Sequence, residues 1–459
     1  MKASDLAGKR ILVMGLGRFG GGVDVVRYAA GAGAHVTVTD LASETQLADS
    51  IRQLDSCSGV AFRLGLHDPD DFASADMVVA NPAVKPDNRF LEVARRHGKI
   101  VTSQVGLFFQ LCPARIVGIT GANGKSTTTT LTAHLLRRAQ SDRPYGNVWL
   151  SGNIGDQPLL TIVDRVQPND VVVLELSSFQ IEQLAEMGEA PQIALLTNLT
   201  PNHLDRYGTF EAYCAAKEGL FKYQRLDGRM PAVSLFNAED EVGSRWFERY
   251  SGQSGRVCKK FSADDVPDRF RRVYQLPGRA YLSNLAGAVA IARNLGVRDD
   301  SIEASLPQFQ ALPHRLELVA EGHGVSWYND SKATTPLSSI VALEAFDRPE
   351  ILIAGGYDKH LPFDELGRRI AQKAKVAILI GQTAPLIARA IEAGSNGRLQ
   401  THVAFAKSLA EAVRTAHELA CPGDVVLLSP ACASYDMFEN YQQRGYQFAE
   451  LAREFAAEL

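Results

Sequence analysis

Cysteine is sparse in this chain: six in 459 residues, at Cys57, Cys112, Cys214, Cys258, Cys421 and Cys432, with no Cys-x-x-Cys pair. That scatter argues against a disulfide framework and against a zinc cluster. Long apolar runs are also missing. Stretches such as Val171 to Leu176 fall far short of the roughly 20 residues needed to cross a bilayer. Neither sign of charge dominates, with 48 Lys and Arg against 52 Asp and Glu and a formal net charge of -4. No overall basic field exists to hold a nucleic-acid backbone or an anionic membrane, so neither is an expected partner. The first residues run straight into a strand-like segment without a signal-peptide pattern, and the expected compartment is the cytoplasm. Short-period repeats and low-complexity segments are absent.

What is present is ordinary for a globular enzyme: 46% hydrophobic and 22% charged residues. At about 150 residues per domain the length suggests about three domains. Short Val/Ile/Leu runs recur between helical stretches, continuous rather than alternating, as in parallel strands buried on both faces. They occur at 11–15, 35–40, 76–81, 99–103, 115–120, 170–176, 193–198, 233–237, 325–330, 351–356, 376–381 and 424–430. The fold class is therefore α/β. Breaks at QLCPAR and at SLPQFQALPHR divide the chain into blocks 1–102, 103–311 and 312–459.

Two glycine loops carry the chemistry. After the first strand, Gly15-Leu16-Gly17-Arg18-Phe19-Gly20 forms a GxGxxG, and a second strand ends at Asp40. This is the spacing of a dinucleotide fold, with amides facing a phosphate and an acid placed for ribose hydroxyls. The turn at Asn81 follows a third strand, at the edge where such sheets take ligands. A nucleotide-like ligand fits this pattern, its identity open; the competing reading is glycines that merely allow tight packing. The second loop is Gly121-Ala122-Asn123-Gly124-Lys125-Ser126-Thr127. Its amides can wrap phosphates, Lys125 can neutralise them, and the Ser126 hydroxyl can ligate Mg²⁺. It departs from strict GxxxxGK[ST], because position 119 is Ile and glycines flank it at 118 and 121. Glu175, ending another strand before Ser177-Ser178, offers the kind of oxygen ligand that Mg²⁺ favours, and His203, in NHLDR, falls at another carboxyl edge. Lys217, by contrast, reads as a solvated helix lysine.

TGANGKST, LELSSFQIE, NHLDRYGTFEAYCAAKEGLF, PHRLE and NDSKATTP, in that order over nearly the whole chain, resemble the ATP-dependent Mur ligases of peptidoglycan synthesis. LELSSFQ and LLSPACASYDMFENYQQRGYQF are similar to the branch that adds D-glutamate to UDP-N-acetylmuramoyl-L-alanine. The resemblance implies three domains: a Rossmann-like UDP-binding domain, a central P-loop-type ATPase domain and a Rossmann-like C-terminal domain. It turns the first loop from a dinucleotide to the UDP part of a UDP-sugar, with Gly15, Gly17, Asp40 and Asn81 on it. It further implies that Gly121 to Thr127, Asn284, Arg315 and Asp330 serve ATP, and that Asn153 contacts substrate near the reacting centre. Ser126 and Glu175 would bind one Mg²⁺, His203 a second. Lys217 would be carbamylated, since an N-carbamate is an anionic oxygen donor where an ammonium would repel the ion. Lys332, Thr334, Lys359, Ser434 and Tyr441 would hold D-glutamate, cations meeting its carboxylates.

The expected chemistry is activation of the alanine carboxylate by the γ-phosphate, then attack by the amine of D-glutamate, giving ADP and phosphate, in a monomer. Three positions depart from the family: Ala280-Tyr281-Leu282-Ser283-Asn284 keeps only Asn284 of the usual adenine motif, so that ring packing by Tyr281 could substitute, and tyrosines stand at 435 and 441. The alternatives are another Mur ligase or a folylpolyglutamate-synthetase-like amide ligase, and a nucleotide-dependent regulatory module without ligation.

Overall fold

In the computed structural model, which describes all residues except 140–143, 155–156, 229, 396, 398–399 and 458–459, the apolar runs form the centres of three sheets. The first is built from β1 (Arg10–Met14), β2 (His35–Asp40), β3 (Val60–Leu64), β4 (Met77–Ala80) and β5 (Ile100–Ser103), in the order β3-β2-β1-β4-β5. Its strands pair in parallel. The order reverses between β1 and β4, which opens a crevice at their carboxyl ends.

The second sheet comprises β6 (Arg115–Thr120), β7 (Val148–Gly152), β8 (Val171–Glu175), β9 (Ile193–Leu196), β10 (Ala232–Asn237) and β11 (Arg256–Phe261), ordered β11-β10-β9-β6-β8-β7. It too is parallel. β6 lies between β8 and β9, so the loop after β6 emerges with the ends of both neighbours beside it.

The third sheet contains β12 (Glu317–Gly322), β13 (Val325–Asn329), β14 (Glu350–Gly355), β15 (Ala374–Ile380), β16 (His402–Phe405) and β17 (Val425–Leu428), ordered β12-β13-β17-β14-β15-β16. β12 joins antiparallel to β13; the other pairs are parallel. The three loops that follow β13, β17 and β14 therefore leave from neighbouring strand ends. Two clusters of buried side chains cover this sheet, one including Leu352, Ala354, Leu379 and Leu427, the other Ile351, Ile353, Ile378 and Val426. The alternation along β14 between them is what burial of both faces requires.

Backbone contacts divide the chain into two compact units, residues 1–265 with 285–305, and residues 266–284 with 306–459. In the first unit the first two sheets share a continuous core that runs from Val23 and Val26 to Leu160, Ile162 and Leu184. Asp24 fastens them. Its buried carboxylate accepts hydrogen bonds from Gln104 Nε2 (2.6 Å), the Leu160 and Thr161 amides (2.8 and 3.1 Å) and the Thr161 hydroxyl (2.9 Å). The helix Leu159–Val163 has no capping side chain of its own, because Pro158 stands at its N-cap. An acid from the helix Gly21–Gly31 supplies the missing acceptor, and it suits the positive end of the helix dipole.

Candidate active site

Three groups of loops at carboxyl strand ends gather the residues singled out above. At the first, Gly15 and Gly17 have φ of 88° and 64°, in the left-handed region that glycine tolerates. A Cβ at Gly15 would lie 2.8 Å from that of Asn81, so the close approach also needs glycine. The Gly17 amide donates to Asp40 Oδ2 (3.2 Å), and the Asn81 side-chain amide donates to the Gly15 carbonyl (3.3 Å). Gly15, Gly17, Asp40 and Asn81 thus form one constellation across β1, β2 and β4. Sequence reading missed His67, whose Nδ1 lies 2.7 Å from the Thr39 hydroxyl beneath Asp40. Its imidazole packs edge-on against Phe72 and Phe90, and burial lowers its pKa. Exposed Phe19, Leu41 and Leu66 rim this edge.

At the second, the loop Gly121–Gly124 is clamped from β9. Ala122 and Asn123 amides donate to Asn198 O and Oδ1 (2.7 and 3.0 Å), and the Thr197 hydroxyl donates to Asn123 O (2.6 Å). Thr197 and Asn198 were not foreseen, because the sequence places them in an unremarkable strand end. The displaced glycine pattern has a structural reason. Gly118 lies within β6 against Pro191, where a Cβ would approach the Pro191 ring at 2.6 Å, while Gly121 sits at φ 151° under Thr197. The two glycines serve packing and loop respectively. Gly124 (φ 78°) starts the helix Lys125–Arg138, whose first turn carries Lys125, Ser126 and Thr127. Unsatisfied amides and the helix dipole at such a start favour phosphate. Lys125 Nζ donates to Ala122 O (2.8 Å), folded over its own loop.

Around this loop stand the other candidates. The Ser126 hydroxyl donates to Glu175 Oε2 at 2.5 Å, both residues buried. Asn153, exposed after β7, is tethered by its amide to the Glu175 carbonyl (3.3 Å). Gly152 at φ 99° permits that approach, and Gly155 of the same run lies outside the described residues. Ser177 is not a free hydroxyl donor set: with Gln180 it makes a capping box on the helix Ser178–Glu186.

Lys217 overturns the composition-based expectation. It is 2% exposed, donates to the Thr120 hydroxyl (3.0 Å), and lies 5.1 Å from the Tyr213 ring centre. Burial, reinforced by the charge of Lys125, pulls its pKa well below the ordinary lysine value. His203 adopts a left-handed φ of 52° that presents an exposed imidazole beside Phe179 and Tyr213, with ring centroids 5.2 and 6.1 Å away. Packing against these rings lowers its pKa and favours the neutral ring a metal ligand needs. The donor chemistry fits Mg²⁺ beside Ser126 and Glu175. Among the described residues no group of three or more His, Cys, Asp or Glu side chains forms a metal cage, so a divalent ion here would draw further oxygens from phosphate and water.

The third group lies in the second unit. Asp330 follows β13 and accepts from the Ser429 hydroxyl (2.8 Å) and the Leu316 amide (3.1 Å). Burial raises its pKa to about 7 despite both bonds. Arg315 stands one residue before Leu316, and its carbonyl accepts the Tyr281 hydroxyl (3.0 Å). The ring of Tyr281 packs against the Leu316–Leu343 core of its own unit. Asn284, at 9% exposure, is buried. Lys332 lies over the Tyr441 ring (5.0 Å), and its amide donates to His314 O (3.1 Å). Thr334 follows, half-buried. The Tyr357 amide donates to Ala433 O (2.9 Å), zipping the loop that carries exposed Lys359 to the one that carries buried Ser434. Tyr357 and Tyr435 meet edge-on at 6.0 Å.

Comparison with known proteins matches the chain to one family along most of its length. Family models match in three consecutive stretches: "Mur ligase MurD-like, N-terminal domain" at 9–103, "Mur ligase middle domain" at 119–278 and "Mur ligase, glutamate ligase domain" at 314–432. The chain belongs to the Mur ligase family. Among relatives of this Mur ligase, the protein of Roseiflexus sp. (strain RS-1) named "UDP-N-acetylmuramoylalanine--D-glutamate ligase" is 40% identical over 98% of this chain and 100% of that one. The protein of the same name from Anaeromyxobacter dehalogenans is 39% identical over 99% and 100%. Among solved structures, the MurF ligase from Thermotoga maritima in complex with ADP has a TM-score of 0.56 at 15% identity, covering 99% of this chain and 96% of that one. UDP-N-acetylmuramate-alanine ligase MurC of the same organism has a TM-score of 0.55 at 19% identity, covering 96% and 98%. Both support the fold.

Proposed function

We propose that this Mur ligase joins D-glutamate to UDP-N-acetylmuramoyl-L-alanine in peptidoglycan precursor synthesis, converting ATP to ADP and phosphate. Full-length relatives carrying that name support the assignment, and the loop clusters supply a chemical rationale. We divide the work at 102/103 and 311/312: UDP-sugar on 1–102, the ATP phosphates on 103–311, and the incoming amino acid on 312–459, which also lends Arg315 and Asp330 to the nucleotide. The carrying observation is the arrangement around Gly121–Thr127, where a phosphate cradle, a lysine and a buried hydroxyl–carboxylate pair converge.

A carboxylate and an amine do not condense in water, so one carboxylate oxygen of the alanyl group must first become part of a leaving group. It attacks the γ-phosphorus, ADP departs, and an acyl phosphate forms. The amine of D-glutamate then attacks the acyl carbon, loses a proton, and expels phosphate carrying that oxygen. Lys125 and the loop amides would hold the phosphates in line and offset their charge. Arg315, Asp330 and Asn284 would bind the nucleoside side. Ser126 and Glu175 would hold one Mg²⁺, and His203 with Lys217 a second. Such ions supply charge neutralisation of the transferring phosphoryl group. Lys217 would reach that role as a carbamate: burial, which lowers its pKa, favours the neutral amine that adds CO₂ and releases a proton, replacing a repelling cation with an anionic donor. Lys332, Thr334, Lys359, Ser434 and Tyr441 would hold D-glutamate. Phosphate release by the purified chain should require the UDP-substrate, D-glutamate and Mg²⁺ together. Equal rates with L-glutamate, or ATP turnover without the UDP-substrate, would refute the assignment.

A further inference from the structure

Arg444 touches none of the proposed ligands, yet it is among the largest side chains withdrawn fully from water, at 1% exposure. It lies in the first turn of the helix Tyr441–Ala457. Its guanidinium donates from Nε to the Ser331 hydroxyl (3.0 Å), from Nη2 to the Ser331 carbonyl (2.8 Å), and from Nη1 and Nη2 to the Cys432 carbonyl (both 3.2 Å). Every acceptor is a neutral oxygen. Burying a cation against neutral acceptors is costly, and it persists only where the surrounding structure gains from the fork geometry. What the fork joins is informative. Ser331 precedes Lys332 and follows Asp330; Cys432 stands two residues before Ser434.

The same helix turn grips the first loop by other means. The Ser331 hydroxyl donates onward to Tyr441 O (2.8 Å), and Asn329 Nδ2 donates to Gly445 O (3.1 Å) while approaching His314 Nδ1 (3.0 Å). A Cβ at Gly445 would collide with the His314 ring, so the helix must carry glycine next to the arginine to come this close. Asp330 takes its hydrogen bonds from Leu316 and Ser429, and Arg444 acts on it through charge alone, which a lysine would keep.

We infer that Arg444 is a positioning residue for the amino-acid pocket: its guanidinium locks the Ser331 and Cys432 backbones in one register and so sets the spacing between Lys332 and Ser434. The inference rests on the proposal that Lys332 and Ser434 hold D-glutamate. A lysine keeps the charge but cannot span both carbonyls and the hydroxyl with a planar fork. Arg444→Lys should therefore raise KM for D-glutamate by about tenfold to a hundredfold, with kcat changed by less than about threefold and KM for ATP and the UDP-substrate unmoved. Ser331→Ala, which removes one acceptor of the fork, provides a milder variant should Arg444→Lys fold poorly, and should shift the same KM in the same direction. Loss spread evenly over kcat and all three KM values, or an unmoved KM for D-glutamate, would overturn the inference. Lys332→Ala, assayed in parallel, separates the two levels. If it leaves KM for D-glutamate unchanged, the pocket assignment fails and takes the inference with it; if it raises KM while the Arg444 and Ser331 variants do not, the inference alone fails.

Discussion

Lys217 illustrates how far a single side chain can depart from what its type suggests. A lysine in a helix is ordinarily solvated; this one is sealed at 2% exposure with a threonine hydroxyl as its hydrogen-bond partner. Its local sequence, AAKEG, carries no sign of burial, because burial comes from Thr120 and Tyr213, which are distant in the chain or a helical turn away. The family resemblance pointed to it, and the physical reason appears only when the strands and helix are assembled. Lys217→Ala should lower turnover by about a hundredfold or more, the scale on which removal of a group that stabilises transition-state charge is felt, with affinity for the UDP-substrate intact. A ¹³C carbamate signal should form on the wild-type protein in labelled bicarbonate and be absent from the variant. An unchanged rate would remove the carbamate from the account. The strand-end positions of His203, Glu175 and Lys125 were legible from motif and pattern, whereas the contacts of Arg444, His314 and Thr197 were not, since each is made with residues distant in the chain.

At the scale of elements, the strands the sequence concealed share a position. β3, β7, β11, β12 and β16 all lie at or form the edges of the three sheets, whereas the Val/Ile-rich runs read from the sequence are mostly interior. Edge strands are bounded on one side only, so they mix polar and apolar residues, as in RVCKKF and ELVAEG. β12 is also antiparallel, a feature the parallel reading could not anticipate. Helix starts show the same division between local and remote causes. Ser177 and Gln180 cap their helix within four residues, but the helix Leu159–Val163 depends on Asp24, far away in sequence. Asp24→Ala should destabilise the protein by about 2–4 kcal/mol, combining a lost cap with buried amides left unpaired. Urea unfolding followed by tryptophan fluorescence measures this, and a midpoint equal to wild type would contradict the role given to Asp24.

For the whole molecule, near-neutral composition is compatible with a protein whose proposed substrates are all anions. Local cations such as Lys125, Lys332 and Lys359 stand at strand ends, and a global positive field is unnecessary. No helix among the described residues is long and apolar enough to cross a membrane. The α/β class and the three sheet-centred regions were legible because continuous apolar strands and two glycine loops are strong local signals; the grouping of residues 266–284 with the last third of the chain was not, because it rests on tertiary contacts. The central claim is that the alanyl carboxylate is activated by phosphorylation before the amine attacks. It is tested most directly with UDP-N-acetylmuramoyl-L-alanine labelled with ¹⁸O in that carboxylate, turned over with ATP, Mg²⁺ and D-glutamate. One ¹⁸O per turnover should appear in the released phosphate; phosphate free of label, alongside normal product formation, would contradict activation by phosphorylation.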